Sequence, residues 1–175
     1  MNLIVAVDTN WAIGNKGKLL VSIPNDQKNN FRARTTGNVI VLGRKTMDTF
    51  PQRRPLPNRT NIILSRNSDY VVKDAIVLHS LEELSEELKK YPSESVYVTG
   101  GDSMYRQLLP SCDTAYVTMI DHCYEADAYF PNLDQDPEWT MTEESDEMTY
   151  FDIPYYFRTY QRIGGQNARI DPQSY

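Results

Sequence analysis

The sequence predicts an α/β fold with a mainly parallel sheet, extended at one edge by C-terminal antiparallel strands. Two observations carry this. Over the first two thirds of the chain, short apolar runs rich in β-branched residues alternate with helix-patterned stretches. The last third then places strand-like segments one after another with no helix between them. Runs that are apolar without alternation suit strands buried on both faces. Regular strand–helix alternation sets such strands side by side in one sheet.

The elements follow in order. Leu-Ile-Val-Ala-Val at 3–7 is the first buried strand, and a polar, glycine-bearing loop over 12–18 leaves it. A helix is expected over 24–34, with Ser22 ahead of it as a candidate cap. The strand at 39–42 runs straight into Gly43 and a helix opening with Arg44, Lys45 and Thr46. The segment Arg54-Pro55-Leu56-Pro57-Asn58-Arg59 precedes a strand at 61–64 that ends in Ser65 and Arg66. After a strand at 75–78, Ser80-Leu81-Glu82-Glu83 carries a capping-box signature and leucines continue at helical spacing. A strand at 95–98 reaches Gly100-Gly101, and a helix over 102–109 ends at Pro110. Segments 114–120, 139–145 and 155–162 are strand-like, and the last is rich in aromatic residues. They fit an antiparallel hairpin at the sheet edge. The domain therefore spans 1–163, and 164–175, with little to bury, reads as a flexible tail.

Composition bounds the function. A chain of 175 residues, 40% hydrophobic and 24% charged, suits one globular domain. A net charge of -6 argues against a nucleic-acid or anionic-membrane partner. No apolar run approaches a membrane span, and the N-terminus lacks the basic region and apolar core of a signal peptide. Cys112 and Cys123 form no CxxC pair and have no histidine at metal-ligand spacing. Two free thiols in a reducing cytosol, and no metal site, are expected.

Four segments at strand ends carry candidate chemistry, where open α/β sheets bind ligands. The loop 12–18 has two glycines that permit movement, though taken alone it is a plain connection. Behind it, Asp26 reads alone as a first-turn acid favoured by the helix dipole. In an apolar cleft it becomes a carboxylate for a cationic or amidine-like edge. At Gly43-Arg44-Lys45-Thr46, backbone N–H groups and two cations meet at a helix start. That suits a phosphate and opposes the dipole until an anion arrives. The two prolines around Leu56 pre-set Arg59, which suits bidentate capture of a carboxylate. Ser65 and Arg66 suit a second anion. The paired glycines Gly100-Gly101 before a helix suit close approach to a pyrophosphate, although a lone pair of glycines is a weak motif.

Five segments together resemble dihydrofolate reductase of the bacterial type: WAIG at 11–14, VIVLGRKT at 39–46, RPLPNRTNIILSR at 54–66, VYVTGGDSMYRQLLP at 96–110, and AYVTMID at 115–121 with EADAYFP at 125–131. The resemblance covers the chain from the first strand to about Arg162. It implies a mixed, mostly parallel eight-stranded sheet flanked by helices, and reduction of 7,8-dihydrofolate to tetrahydrofolate by hydride from NADPH. Asp26 would take the amino-pyrimidine edge of the pterin, with Thr118 orienting it. Val5 and Ala6 would lie against the pterin, beside Asn30, Phe31 and Thr99. Phe50 and Leu56 would pack on the aminobenzoyl group and Arg59 would hold the glutamate α-carboxylate. Arg44, Ser65 and Arg66 would hold the 2′-phosphate of the cofactor. Gly43, Lys45, Thr46, Gly100, Gly101, Asp102, Ser103 and Met104 would line its phosphates. Ala6, Ile13, Gly14, Leu19 and Tyr105 would border the nicotinamide, under a lid over 13–20 steadied by Asp127. A cytoplasmic monomer is implied.

Three departures from the family pattern stand out. Val21 replaces a usual tryptophan, and Thr99 replaces an apolar residue before the glycine pair. The aromatic residue expected four positions after the acid comes at five, as Phe31, with Asn30 in its place. One extra residue turns a regular helix by about 100°. Either a π-bulge absorbs it or the ligand meets this face differently. The alternatives are a cofactor-binding relative with impaired turnover, a pyrimidine reductase of riboflavin synthesis with the same fold, and an interaction module. The last offers no reason for cations at two strand ends.

Overall fold

The structure, a computed structural model, describes residues 1–164. The strands are β1 (Asn2–Val7), β2 (Ala12–Asn15), β3 (Lys18–Leu19), β4 (Val39–Gly43), β5 (Thr60–Leu64), β6 (Ile76–Leu78), β7 (Val96–Gly100), β8 (Thr114–Ile120), β9 (Ala128–Tyr129), β10 (Trp139–Glu144), β11 (Met148–Tyr150) and β12 (Ile153–Arg162). The helices are α1 (Asp26–Arg32, continued by Ala33–Thr35), α2 (Arg44–Met47), α3 (Leu81–Leu88) and α4 (Asp102–Leu108). The main sheet runs β10-β12-β8-β1-β7-β4-β5-β6, with β11 pairing onto β12. Pairing is parallel from β8 to β6, and β12 lies antiparallel to both β8 and β10. This is the mixed, mostly parallel sheet with an antiparallel edge that the sequence predicts.

The continuous apolar runs explain the layering. On β4, Val39 and Val41 enter one core while Ile40 and Leu42 enter another. Ile62 and Leu64 of β5 join the first core and Ile63 the second. Adjacent strand residues point to opposite faces, so both faces of the sheet are covered. α3 opens as its sequence predicts: Glu83 N donates to Ser80 Oγ at 3.1 Å. The Glu83 carboxylate returns to His79 N, one residue earlier than a capping box requires. Ser22 does not cap α1. Asn25 holds that position without a side-chain capping bond, and Ser22 accepts from Gln27 Nε2 instead.

Two regions depart from expectation. The expected loop over 12–18 contains β2 and the start of β3, which form a small sheet with β9. Pieces of two to four residues are too short for a periodic signal. The second is α1 itself. Residues Asp26–Arg32 form a π-helix, which absorbs the extra residue before Phe31. Of the tail expected over 164–175, all but the first residue lies outside the described residues. No described helix is long and apolar enough to cross a membrane, and Cys112 and Cys123 are both free thiols.

Candidate functional site

A cleft begins where two central strands part. β1 is paired with β8 along six residues, Asn2 to Val7, but with β7 only at Asn2 and Leu3. Beyond Leu3 the β7 side of β1 has no ladder. The Ile4 carbonyl is satisfied there by Tyr105 Oη, which donates at 2.8 Å from α4. Burial pushes that phenol well above its ordinary range, so it stays a neutral donor. Val5 and Ala6 stand at this opening, and Ala6 also touches the third core cluster with Val21 and Phe157.

Asp26 faces the cleft from the first turn of α1. Its Oδ1 accepts from Thr118 Oγ1 at 2.6 Å and from Asn30 Nδ2 at 2.9 Å. Burial raises its pKa above the ordinary carboxylate value, while the Thr118 and Asn30 hydrogen bonds pull it back down. Both donors converge on one oxygen, which leaves Oδ2 for a ligand. A turn of π-helix spans five residues, so Asn30 and Phe31 flank the acid from either side. Asn30 is buried against Thr118, and Phe31 lies on the side of Arg59, whose guanidinium carbon is 6.0 Å from its ring centre.

Arg59 is held by three bonds, from Nε to Thr35 Oγ1, from Nη1 to the Pro57 carbonyl and from Nη2 to Thr36 Oγ1. Burial and the neighbouring Arg32 both lower its pKa, the mark of a cation set where an anion would relieve it. The rigidity expected of its proline-rich loop has a second source. Asn61 is buried, its Oδ1 accepts from Leu56 N and its Nδ2 donates to the Leu56 carbonyl, both at 3.0 Å. This staple was not visible in the sequence, where Asn61 is only the start of a strand. Leu56 and Phe50 are half-buried against the core cluster of Ile40, Leu42, Met47 and Ile63.

A cavity of about 550 Å³ lies across the carboxyl ends of β4, β5 and β7. It gathers ten of the predicted residues: Gly43, Arg44, Lys45 and Thr46 from the first strand end, Ser65 and Arg66 from the second, and Gly101, Asp102, Ser103 and Met104 from the third. Leu64 and Asn67 also line it and were not expected. The glycines are there because backbones approach closely. A Cβ on Gly100 would stand 3.1 Å from Thr46 Oγ1, and one on Gly43 3.2 Å from Met104 Cγ. Gly100 also has φ of 139°, which side-chain-bearing residues avoid. The Gly100–Gly101 peptide is cis. The Thr99 hydroxyl, expected at the substrate, donates to the Val41 carbonyl at 3.4 Å and is directed to β4.

Over the cleft, β2 carries Ile13 and Gly14, and β3 carries Leu19, 70% exposed. Asp127 ties this flap down: its N–H donates to the Gly14 carbonyl and its carboxylate accepts from Lys16 N. The hinge is fixed by Asp8, which sequence reading passed over. Its buried carboxylate accepts from Asn10 N, Ala12 N and Tyr124 N. An aspartate directly after a buried strand, followed by Asn10, is the signal for such a turn.

Residues 1–162 match the family model described as dihydrofolate reductase. A dihydrofolate reductase of Staphylococcus haemolyticus is 34% identical over 166 residues, covering 93% of this chain and 96% of that protein. One of Bacillus subtilis (strain 168) is 33% identical over 172 residues, covering 96% and 98%. A solved structure of dihydrofolate reductase from Enterococcus faecalis, complexed with NADP(H) and RAB-propyl, superposes with a TM-score of 0.80 at 37% identity, covering 92% of this chain and 95% of that one.

Proposed function

The chain belongs to the dihydrofolate reductase family, and on that premise we propose that it reduces 7,8-dihydrofolate to 5,6,7,8-tetrahydrofolate with NADPH. One observation carries the reading at residue level. A half-buried carboxylate with both hydrogen bonds on one oxygen stands beside Thr118 of β8, on a sheet whose strand ends also carry a cation-lined cavity.

The cavity residues fit NADPH. Arg44, Lys45 and Arg66 bring positive charge to a space where Gly43 and Gly101 let a ligand approach the backbone. Arg44, Ser65 and Arg66 would take the 2′-phosphate, and Thr46, Gly101, Asp102 and Ser103 the pyrophosphate. When bound, NADPH supplies the hydride that goes to pterin C6. The chain's own residues do the rest. Asp26 Oδ2 takes the amino-pyrimidine edge, and its charge favours the protonated pterin electrostatically. Holding that edge keeps Asp26 from N5, so a water brings the N5 proton. Phe31, Phe50 and Leu56 sandwich the aminobenzoyl ring, and Arg59 grips the terminal carboxylate. Ile13, Gly14 and Leu19 close over the reacting rings and exclude bulk water. The same reading makes the enzyme a cytosolic monomer that takes no nucleic acid.

The test follows NADPH absorbance with and without dihydrofolate, and with a ribosylated aminopyrimidine. Oxidation that needs dihydrofolate supports the proposal, and oxidation with the pyrimidine alone overturns it. Within the proposed cofactor site, Arg66→Ala is expected to weaken NADPH by about 10- to 100-fold and leave NADH unchanged, since one charge-assisted hydrogen bond contributes about 1.5–3 kcal/mol. Isothermal titration with both nucleotides reads this directly. Equal loss for both would take Arg66 off the 2′-phosphate.

A further inference from the structure

We propose that Asn30 is a positioning residue for the Asp26 carboxylate and that Arg34 fixes Asn30, so that the acid is presented through a relay Arg34–Asn30–Asp26. The proposal deepens the folate reading of this cleft and rests on it.

The relay follows from which atoms can donate. Arg34 Nε lies 2.8 Å from Asn30 Oδ1. A guanidinium has only donors, so the oxygen of the Asn30 amide must face it. The Asn30 Nδ2 end is thereby turned toward Asp26 Oδ1, at 2.9 Å, and Thr118 Oγ1, at 3.3 Å. A flipped amide would set donor against donor at Arg34 and oxygen against carboxylate at Asp26. Arg34 itself is held in place, with its guanidinium carbon 3.8 Å from the centre of the Tyr116 ring. Because Asn30 donates to the Thr118 oxygen, the Thr118 hydrogen is committed to Asp26, at 2.6 Å. One amide thus organises both donors on the acid, an arrangement in which each bond polarises the next.

The π-helix makes this possible. It puts Phe31 on the Arg59 side of α1 and turns residue 30 inward, where it is 5% exposed. Few other groups compete at Asp26. α4 presents Tyr105, held neutral by burial. β8 presents Thr118, and α1 itself presents Asn30, with the Arg34 charge behind it. On the far side, Asn30 and Arg34 border an open cavity of about 540 Å³ with Tyr116, Phe157 and Arg158. Replacing Arg34 therefore changes a half-buried side chain at the cavity wall and not a residue of the apolar core. Burial disfavours the charged form of Asp26, and the hydrogen bonds from Thr118 and Asn30 oppose it.

The test reads the Asp26 carboxyl directly, by carbon-13 NMR titration of the ligand-free protein. Asn30→Leu, close to asparagine in shape, is expected to move its protonation midpoint upward and to lower kcat/KM for dihydrofolate about tenfold, the worth of one lost hydrogen bond. Most of that loss falls in KM. Arg34→Met moves the midpoint in the same direction and less, because the amide is then free to turn. In the double variant the Arg34 effect disappears, since its route is already cut. An unmoved midpoint in Asn30→Leu overturns the proposal, as do independent, additive effects at 30 and 34. Arg34→Met, on the cavity side, keeps the idea falsifiable should leucine at 30 not fold. The titration needs no turnover, so failure of the folate reading and failure of the relay are separable.

Discussion

Asp26→Asn is expected to slow hydride transfer to dihydrofolate by about 10²-fold or more at neutral pH, the usual cost of losing one preorganised electrostatic partner of the reacting group. The amide keeps the shape and can still accept from Thr118 and Asn30, whose donors meet at Oδ1. What goes is the negative charge that favours a protonated pterin. NADPH should bind within about twofold of wild type, because the cavity proposed for it is lined by the ends of β4 and β5 and by the segments that follow β4, β5 and β7, and does not include the acid. Single-turnover kinetics separates the chemical step from product release. Near-normal single turnover would remove Asp26 from the chemistry, and a parallel loss of NADPH affinity would point to a general collapse of the site.

The same variant should be more stable than wild type at neutral pH. In the folded chain Asp26 has a raised pKa, chiefly because burial penalises its charge, with the Thr118 and Asn30 bonds acting the other way. Between the ordinary value of 3.8 and the raised one, the folded state holds the proton more often than the unfolded state. Stability falls as pH rises through that window, and the full penalty stands above it. Below 3.8 both states are protonated and the penalty is gone. The urea midpoint of Asp26→Asn should therefore exceed that of wild type at pH 7, and the gap should close in acid. Equal midpoints at pH 7 would mean that the two hydrogen bonds cancel the burial cost.

Some of this was legible in the chain and some was not, for physical reasons. The strands Val39–Gly43 and Thr60–Leu64 were readable because burial on both faces demands unbroken apolar runs. The cation-lined cavity was readable because cations and glycines at three strand ends converge once those strands are parallel neighbours. Set against the family pattern, the spacing showed Phe31 one residue late and left either a π-bulge or a changed ligand contact open. Which device absorbed the residue was not readable, because π and α turns share the same local preferences. The two-residue strand Lys18–Leu19 and the Asn61 staple depend on partners far along the chain. The same holds for the Asn30–Asp26–Thr118 bonds, which join residues 88 and 92 positions apart as well as four. A single sequence carries no distance between such partners.

Arg59→Ala is expected to lower kcat/KM for dihydrofolate by about 10- to 100-fold, because hydrogen bonds between charged groups contribute about 1.5–3 kcal/mol. A guanidinium has five N–H groups. Three are spent on Thr35, Pro57 and Thr36, and they fix the plane of the group. Two remain, which is what a bidentate carboxylate requires. The lowered pKa of Arg59, from burial and then Arg32, shows that it sits where positive charge is crowded and a bound anion would be favoured. The carboxylate it would hold is remote from the reacting ring, and its binding is the same in ground and transition states. The loss should therefore appear in KM, with kcat nearly unchanged. A dihydropterin without the glutamate supplies the control: wild type and Arg59→Ala should reduce it equally well. If the variant loses as much against that truncated substrate, Arg59 is supporting α1 through Thr35 and Thr36 and is not gripping the ligand.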